Sequence, residues 1–150
     1  MFRGKFVYTT VIESPVEDVW SFFSKNENLA AITGFPEVNV TGDREVRKGA
    51  VIQLELDFKL FFMNWQARII RAETGSFFQD AGEKVPFPFR LWLHTHRFEG
   101  IPGGKTKMTD EVAFSSWVPV PLIKIMLYGM FLDRKRQLGR LSIYKRSREE

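Results

Sequence analysis

Residues 52–60, Ile-Gln-Leu-Glu-Leu-Asp-Phe-Lys-Leu, are apolar at every second position, a period that fits an extended strand with one covered face. Such a strand cannot stand alone, so the rest of the chain must supply partner strands and a cover for the apolar face. Residues 3–13 are rich in β-branched and aromatic types and read as a first strand. Further strand-like runs occupy 63–72, 76–80, 89–98 and 105–117. They are separated by turn signals at Thr74-Gly75, between Gly82 and Pro88, and at Pro102-Gly103-Gly104.

Two stretches change period. After the first strand, Ser14 is placed to cap a helix, Pro15 suits its first position and Glu17 completes a capping box. Val16, Val19, Trp20 and Phe23 give that helix an apolar face, and Asn26 and Asn28 mark a break before a second short helix through Ile32, closed by Gly34 and Pro36. After Pro119 and Pro121 a helix runs from about Leu122 toward Tyr144. Val120, Ile123, Leu127, Phe131, Leu138 and Leu141 form a stripe along it. Gly129 costs that helix about 1 kcal/mol relative to Ala, which suggests a packing or ligand-access reason for it. The expected architecture is α+β: a curved antiparallel sheet of about seven strands, two short helices after the first strand, and a long C-terminal helix packed across the sheet. A chain of 150 residues supports one such domain, spanning 1–150.

Composition narrows the function classes. With no cysteine there is no disulfide framework, thiolate metal site or thiol nucleophile, and a reducing, cytoplasmic setting is expected. The first residues lack the apolar stretch of a secretory signal, and the longest apolar run, 122–132, is too short to cross a bilayer. The net charge of +4 resides in 133–150, where seven Lys or Arg face three acids. Cations in the last turns of a helix complement its dipole, and an anionic surface would also suit them. Without interleaved aromatics this tail does not read as a nucleic-acid site. The 15 phenylalanines exceed what a small core needs and point to a cavity lined by rings.

The element order, with Ser-Pro-Val-Glu-Asp-Val-Trp at 14–20 opening the first helix, resembles the START-like (SRPBCC, helix-grip) superfamily. Phe78-Gln-Asp80, Pro88-Phe89, Trp92-Leu-His-Thr-His-Arg-Phe98 and Thr109-Asp-Glu-Val112 are similar to the sheet motifs of its bacterial polyketide cyclase/dehydrase-like branch. That branch carries Gly-Pro-Phe before the strand and Tyr-Arg in the last helix, where this chain has Phe87-Pro88-Phe89 and Asp133-Arg134. The resemblance implies an internal cavity for a hydrophobic ligand and does not imply a reaction.

Within 89–98, alternation puts Arg90, Trp92, His94, His96 and Phe98 on one face and Phe89 on the other. If the turn at 100–104 sets His96 opposite Met108, His94 lies opposite Asp110 and Trp92 opposite Val112. A His94–Asp110 pair would then contact a ligand's polar group or act as an acid–base pair. His-x-His also suits a metal, with Asp110 or Glu99 as third ligand, but two histidines are a thin supply and neither metal nor cofactor is assigned. Arg134, on the inward stripe of the last helix, needs Asp110 or Asp80 as partner, or an anionic ligand group. Phe58, Trp65, Phe77, Trp92, Phe98, Phe114, Leu127 and Phe131 are the expected apolar lining. The run 61–65, Phe-Phe-Met-Asn-Trp, either gates the pocket, touches a membrane surface transiently or packs as a plain hairpin.

Binding of a hydrophobic small molecule, such as a lipid, isoprenoid or polyketide, is the leading expectation, by a monomer or homodimer without nucleic acid or stable membrane insertion. The alternatives are a cyclase/dehydratase-type enzyme using His94 and Asp110, and an interaction module whose interior is only packing. Replacing either histidine by Ala is expected to alter binding and leave the fold intact.

Overall fold

The computed structural model describes the backbone of residues 1–149 and the side chains of residues 1–140. Its order is β1 (Phe2–Ile12), α1 (Val16–Phe23), α2 (Asn28–Ala31), β2 (Glu37–Gly42), β3 (Val51–Asp57), β4 (Phe62–Glu73), β5 (Phe77–Lys84), β6 (Phe89–Ile101), β7 (Lys105–Ser116) and α3 (Val120–Glu149). The strands form one antiparallel sheet in the order β1-β7-β6-β5-β4-β3-β2. The expected helix-grip layout, with about seven strands, two short early helices and a long last one, is thereby borne out. No helix among the described residues is long and apolar enough to cross a membrane.

Several local expectations change. The cap of α1 is Pro15, in extended geometry, and no side chain caps the helix; the Pro15 carbonyl accepts the Asp18 and Val19 amides. The expected Ser14–Glu17 capping box is therefore not formed. Ser14 instead braces the sheet, its carbonyl accepting the Thr106 hydroxyl at 2.8 Å. β6 carries a bulge between Phe89 and Leu91, which takes the first residues out of alternation. Phe89 turns into the interior and Arg90 turns out over the Trp117 ring at 5.7 Å, the reverse of the expected faces. Further bulges where β4 meets β5 bend the sheet.

The buried apolar side chains form two clusters. One, beneath α1 and α2, joins Ile12, Val19, Ile32, Ile69, Phe78, Phe98, Met108 and Leu138. The other lies between β1, β6, β7 and the first half of α3 and joins Phe6, Phe89, Val112, Phe114, Ile123, Leu127 and Phe131. The stripe expected on α3 is buried at Ile123, Leu127, Phe131 and Leu138 and half-buried at Val120, and Leu141 lies outside the described side chains. Gly129 lies off that stripe, and an added Cβ there would meet nothing within 4 Å, so no packing need explains it.

Candidate functional site

Between the two apolar clusters the inner face of the sheet is polar. His94 and His96 on β6, Asp110 on β7 and Asp80 on β5 are all buried. Alternation brings them together: His96 pairs across the ladder with Asp110 on one side and Phe78 on the other, while His94 pairs with Val112 and Asp80. The register therefore differs by two residues from the expected one, because the turn is the three-residue Pro102-Gly103-Gly104 loop joining paired Ile101 and Lys105. Its two glycines have φ of 91° and 70°, a conformation costly for other residues. A shift of two preserves the face, so the histidines and Asp110 still point inward together.

The side chains bond diagonally. His94 Nε2 donates to Asp110 Oδ1 at 2.8 Å, and His96 Nε2 donates to Asp80 Oδ2 at 2.8 Å. Asp110 Oδ1 is also 3.4 Å from His96 Nδ1, which has no aligned hydrogen bond, and 3.7 Å from an Arg134 guanidinium nitrogen. The imidazoles stack with centroids 3.6 Å apart. Phe78 stacks on His96 at 4.1 Å, and Phe131 meets His94 edge-on at 5.7 Å, so each apolar cluster seals one side of the polar layer.

Burial, reinforced by the charge on His96, pushes the His94 pKa below its ordinary 6.5. Burial opposes charge on His96 as well, but the adjacent Asp110 and Asp80 carboxylates outweigh it and raise that pKa. For Asp110, burial would raise the pKa, yet the two histidine contacts and the Arg134 charge hold it below the ordinary carboxylate value. The two imidazoles are thus pushed in opposite directions, His94 toward the neutral form and His96 toward the charged one. A carboxylate only accepts, so neutral His94 carries its proton on Nε2.

Asp80, His94 and His96 each place a donor atom within 4.8 Å of the others, close enough for a metal ion to bridge. Their geometry fits one poorly, because the imidazoles lie face to face and the Nε2 atom of each is engaged in a hydrogen bond to a carboxylate on a different neighbouring strand. Glu99, weighed as a metal ligand, is exposed and opposite Lys107. Asp80, weighed in the sequence only as a partner for Arg134, instead pairs with His96; its place two residues after inward-facing Phe78 was the available signal.

The expected lining residues divide into groups. Trp92 contacts Trp65, Phe89 and His94, and Phe114 lies opposite Trp92; with Leu127 and Phe131 they surround the His94 side of the polar layer. Phe98 is core beneath α1, against Trp20, Phe23 and Phe78. Phe77 lies on the outer face, flanked by Arg71 and Arg97 at 5.4 and 5.5 Å. Phe58 sits in the β3–β4 turn between Phe35 and Phe61. Beside it is an open recess of about 380 Å³ walled by Ala30, Gly34, Phe35, Val38, Asp57 and Lys59. The recess adjoins α3, because the Gly34 amide donates to Asp133 Oδ2 at 3.1 Å and Asp133 immediately precedes Arg134.

The antiparallel sheet of seven strands, the two short helices after β1 and the long α3 together make the helix-grip fold. No protein-family model matches the chain, and no curated protein matches it in sequence. Among solved structures it is similar to the Zhui aromatase/cyclase of a Streptomyces species, at 13% identity over 94% of each chain with a TM-score of 0.74. It is also similar to Ara h 8.0201, at 10% identity over 95% of this chain and 99% of the other, TM-score 0.75. A START superfamily protein from Mycobacterium smegmatis matches at 13% identity over 91% and 95%, TM-score 0.75. At these identities the likeness is one of fold.

Proposed function

We infer that the chain is a binding protein for a hydrophobic small molecule carrying a polar or anionic oxygen, held between the sheet and α3 in a cytoplasmic setting. The observation that carries this reading is Arg134. It lies on the inward stripe of α3, with 18% of its side chain exposed and its guanidinium 5.0 Å from the Phe131 ring. A guanidinium has five N–H donors, and among the described residues Arg134's one ionic partner is Asp110, at 3.7 Å. Its remaining donors suit a carboxylate, phenolate or carbonyl oxygen, with Phe131 and Trp92 as apolar surface nearby. The recess beside Asp133 offers an approach to the same turn of α3.

Native mass spectrometry of protein purified from its own host tests this. A co-purifying hydrophobic molecule, displaced or weakened by Arg134→Met, supports it; repeated absence of any ligand returns the interior to packing.

A second reading draws on the 2.8 Å His94–Asp110 contact, in which a carboxylate fixes the tautomer of a neutral imidazole and leaves Nδ1 free to accept a proton. Chemical conversion of a bound polyketide-type ligand, abolished by His94→Gln, would favour this cyclase/dehydratase-type reading.

A further inference from the structure

The exposed large apolar side chains are concentrated rather than evenly spread, although Val7 and Val11 on β1 and Tyr128 and Met130 on α3 are exposed as well. The β3–β4, β5–β6 and β7–α3 connections all emerge at one end of the sheet, by the antiparallel order of the strands. At this end Leu60 is 94% exposed, and Phe61, Phe87 and Trp117 are at least half exposed. Leu122 and Ile125, on the outer side of the first turns of α3, are 57% and 70% exposed. The turns at the opposite end, β2–β3, β4–β5 and β6–β7, contain no exposed large apolar side chain among the described residues. Scattered apolar exposure is ordinary, but its concentration in the turns of one end is not.

Toward β6, β7 and the start of α3 the charge at this end is one-sided as well. Lys59, Arg90 and Lys124 are exposed beside the apolar groups, with Arg90 over the Trp117 ring. No acid occurs between Lys84 and Phe98 or between Val112 and Leu132. The acids at this end lie toward β2, β3 and β5. They are Glu37; Asp57, whose Oδ1 accepts the Lys59 amide at 2.7 Å; and Glu83, bridged to Arg68 at 3.3 Å.

We propose that this loop end docks peripherally on a membrane surface containing anionic lipid. The protruding aromatic and aliphatic side chains enter the headgroup boundary, and Lys59, Arg90 and Lys124 meet lipid phosphates. The occupant is a lipid surface rather than a second copy of the chain, because a symmetric dimer would bring the cations near β7 and α3 against each other while the flanking sequence supplies no acid to pair with them. Docking by this end goes beyond ligand binding, since it does not depend on whether the interior is occupied.

The test is co-sedimentation of the whole protein with vesicles of phosphatidylcholine alone and of phosphatidylcholine mixed with phosphatidylglycerol. Binding to the mixed vesicles, falling with added salt, is expected, as is quenching of Trp117 by brominated lipid that disappears in Trp117→Phe. The double variant Leu122→Ser/Ile125→Ser, and separately Phe61→Ser, are each expected to lower the bound fraction about tenfold. Lys124→Glu lowers it on the anionic vesicles, and Lys107→Glu, toward the opposite end, does not. All these positions are exposed, and circular dichroism checks the folding of each variant. Three results would overturn the proposal: no vesicle binding by the wild type, equal loss with Lys107→Glu, or a solution dimer that Ile125→Ser dissociates. Binding of a fluorescent apolar probe without vesicles reads the interior separately.

Discussion

His94 is joined to Asp110 by a 2.8 Å hydrogen bond across a diagonal of the β6–β7 ladder, while the residue directly opposite Asp110 is His96, 3.4 Å away through its other nitrogen. One carboxylate oxygen thus holds two stacked imidazoles and draws in Arg134. Asp110 is 1% exposed, so bulk solvent does not compensate for the loss of any of these contacts. The network stabilises the fold only as a set, because each buried charge depends on another for its compensation.

Asp110→Ala leaves His96 and Arg134 facing a buried gap. A destabilisation of roughly 3–5 kcal/mol is expected, the usual cost of breaking a buried charge network from one side. Urea denaturation of the variant and wild type measures it.

The two histidines give stability opposite pH slopes. The lowered pKa of His94 means its contribution is full above 6.5 and lost as pH falls below that value, because the unfolded chain takes up the proton first. The raised pKa of His96 means its contribution is full below 6.5 and lost as pH rises through the folded value. Asp110, with a depressed pKa, adds a further loss in stronger acid. Stability followed by urea denaturation from about pH 5 to about pH 9 is therefore expected to peak near neutrality. His96→Gln should remove the alkaline decline and keep the acid one. An unchanged alkaline slope in that variant would exclude a charged His96.

Burial also revises what alanine does at these positions. His96→Ala deprives Asp80 of its 2.8 Å partner in a buried setting, and a loss of roughly 2–4 kcal/mol is expected by denaturation, not the intact stability that surface histidines would allow.

Arg134→Met keeps the apolar stem and removes the donors. It is expected to weaken binding of a long-chain carboxylate about tenfold or more while changing affinity for an uncharged apolar probe much less, since charge-assisted hydrogen bonds carry the difference. Titration calorimetry with the two probes separates these effects.

Two glycines predict opposite outcomes. A Cβ on Gly4 would lie 2.8 Å from the Phe114 ring and 2.9 Å from Val120, so Gly4→Ala should destabilise by about 1–3 kcal/mol through overpacking. At Gly129 a Cβ meets only open space, and Gly129→Ala should stabilise α3 by roughly 1 kcal/mol. Thermal melts of the two variants give the signs directly.

The periods in the sequence settled the order of the long elements and set Trp92, His94 and His96 on one face; Asp110 joins them only for an even register, and which face turns inward was left to the tertiary structure. They did so because side-chain direction in a strand depends only on residue parity, and a ladder shifted by two residues keeps it. Parity also made Asp80 an inward residue, although its partner was not legible. Phe77, beside inward Phe78, is an outward position for the same reason, and its inclusion in the lining overlooked the alternation. The faces of Phe89 and Arg90 were beyond sequence reading, since a bulge is an extra residue that no period announces.

What the sequence determined by itself is therefore the main elements and, outside the bulges, which side chains of a strand share a face, both fixed by local periodicity. What only the tertiary structure decided is who bonds to whom: His94 with Asp110, His96 with Asp80, and Arg134 beside them. Those pairings depend on turn length, bulges and the seating of α3, which are distances between segments far apart in the chain and leave no mark in the period of any one of them.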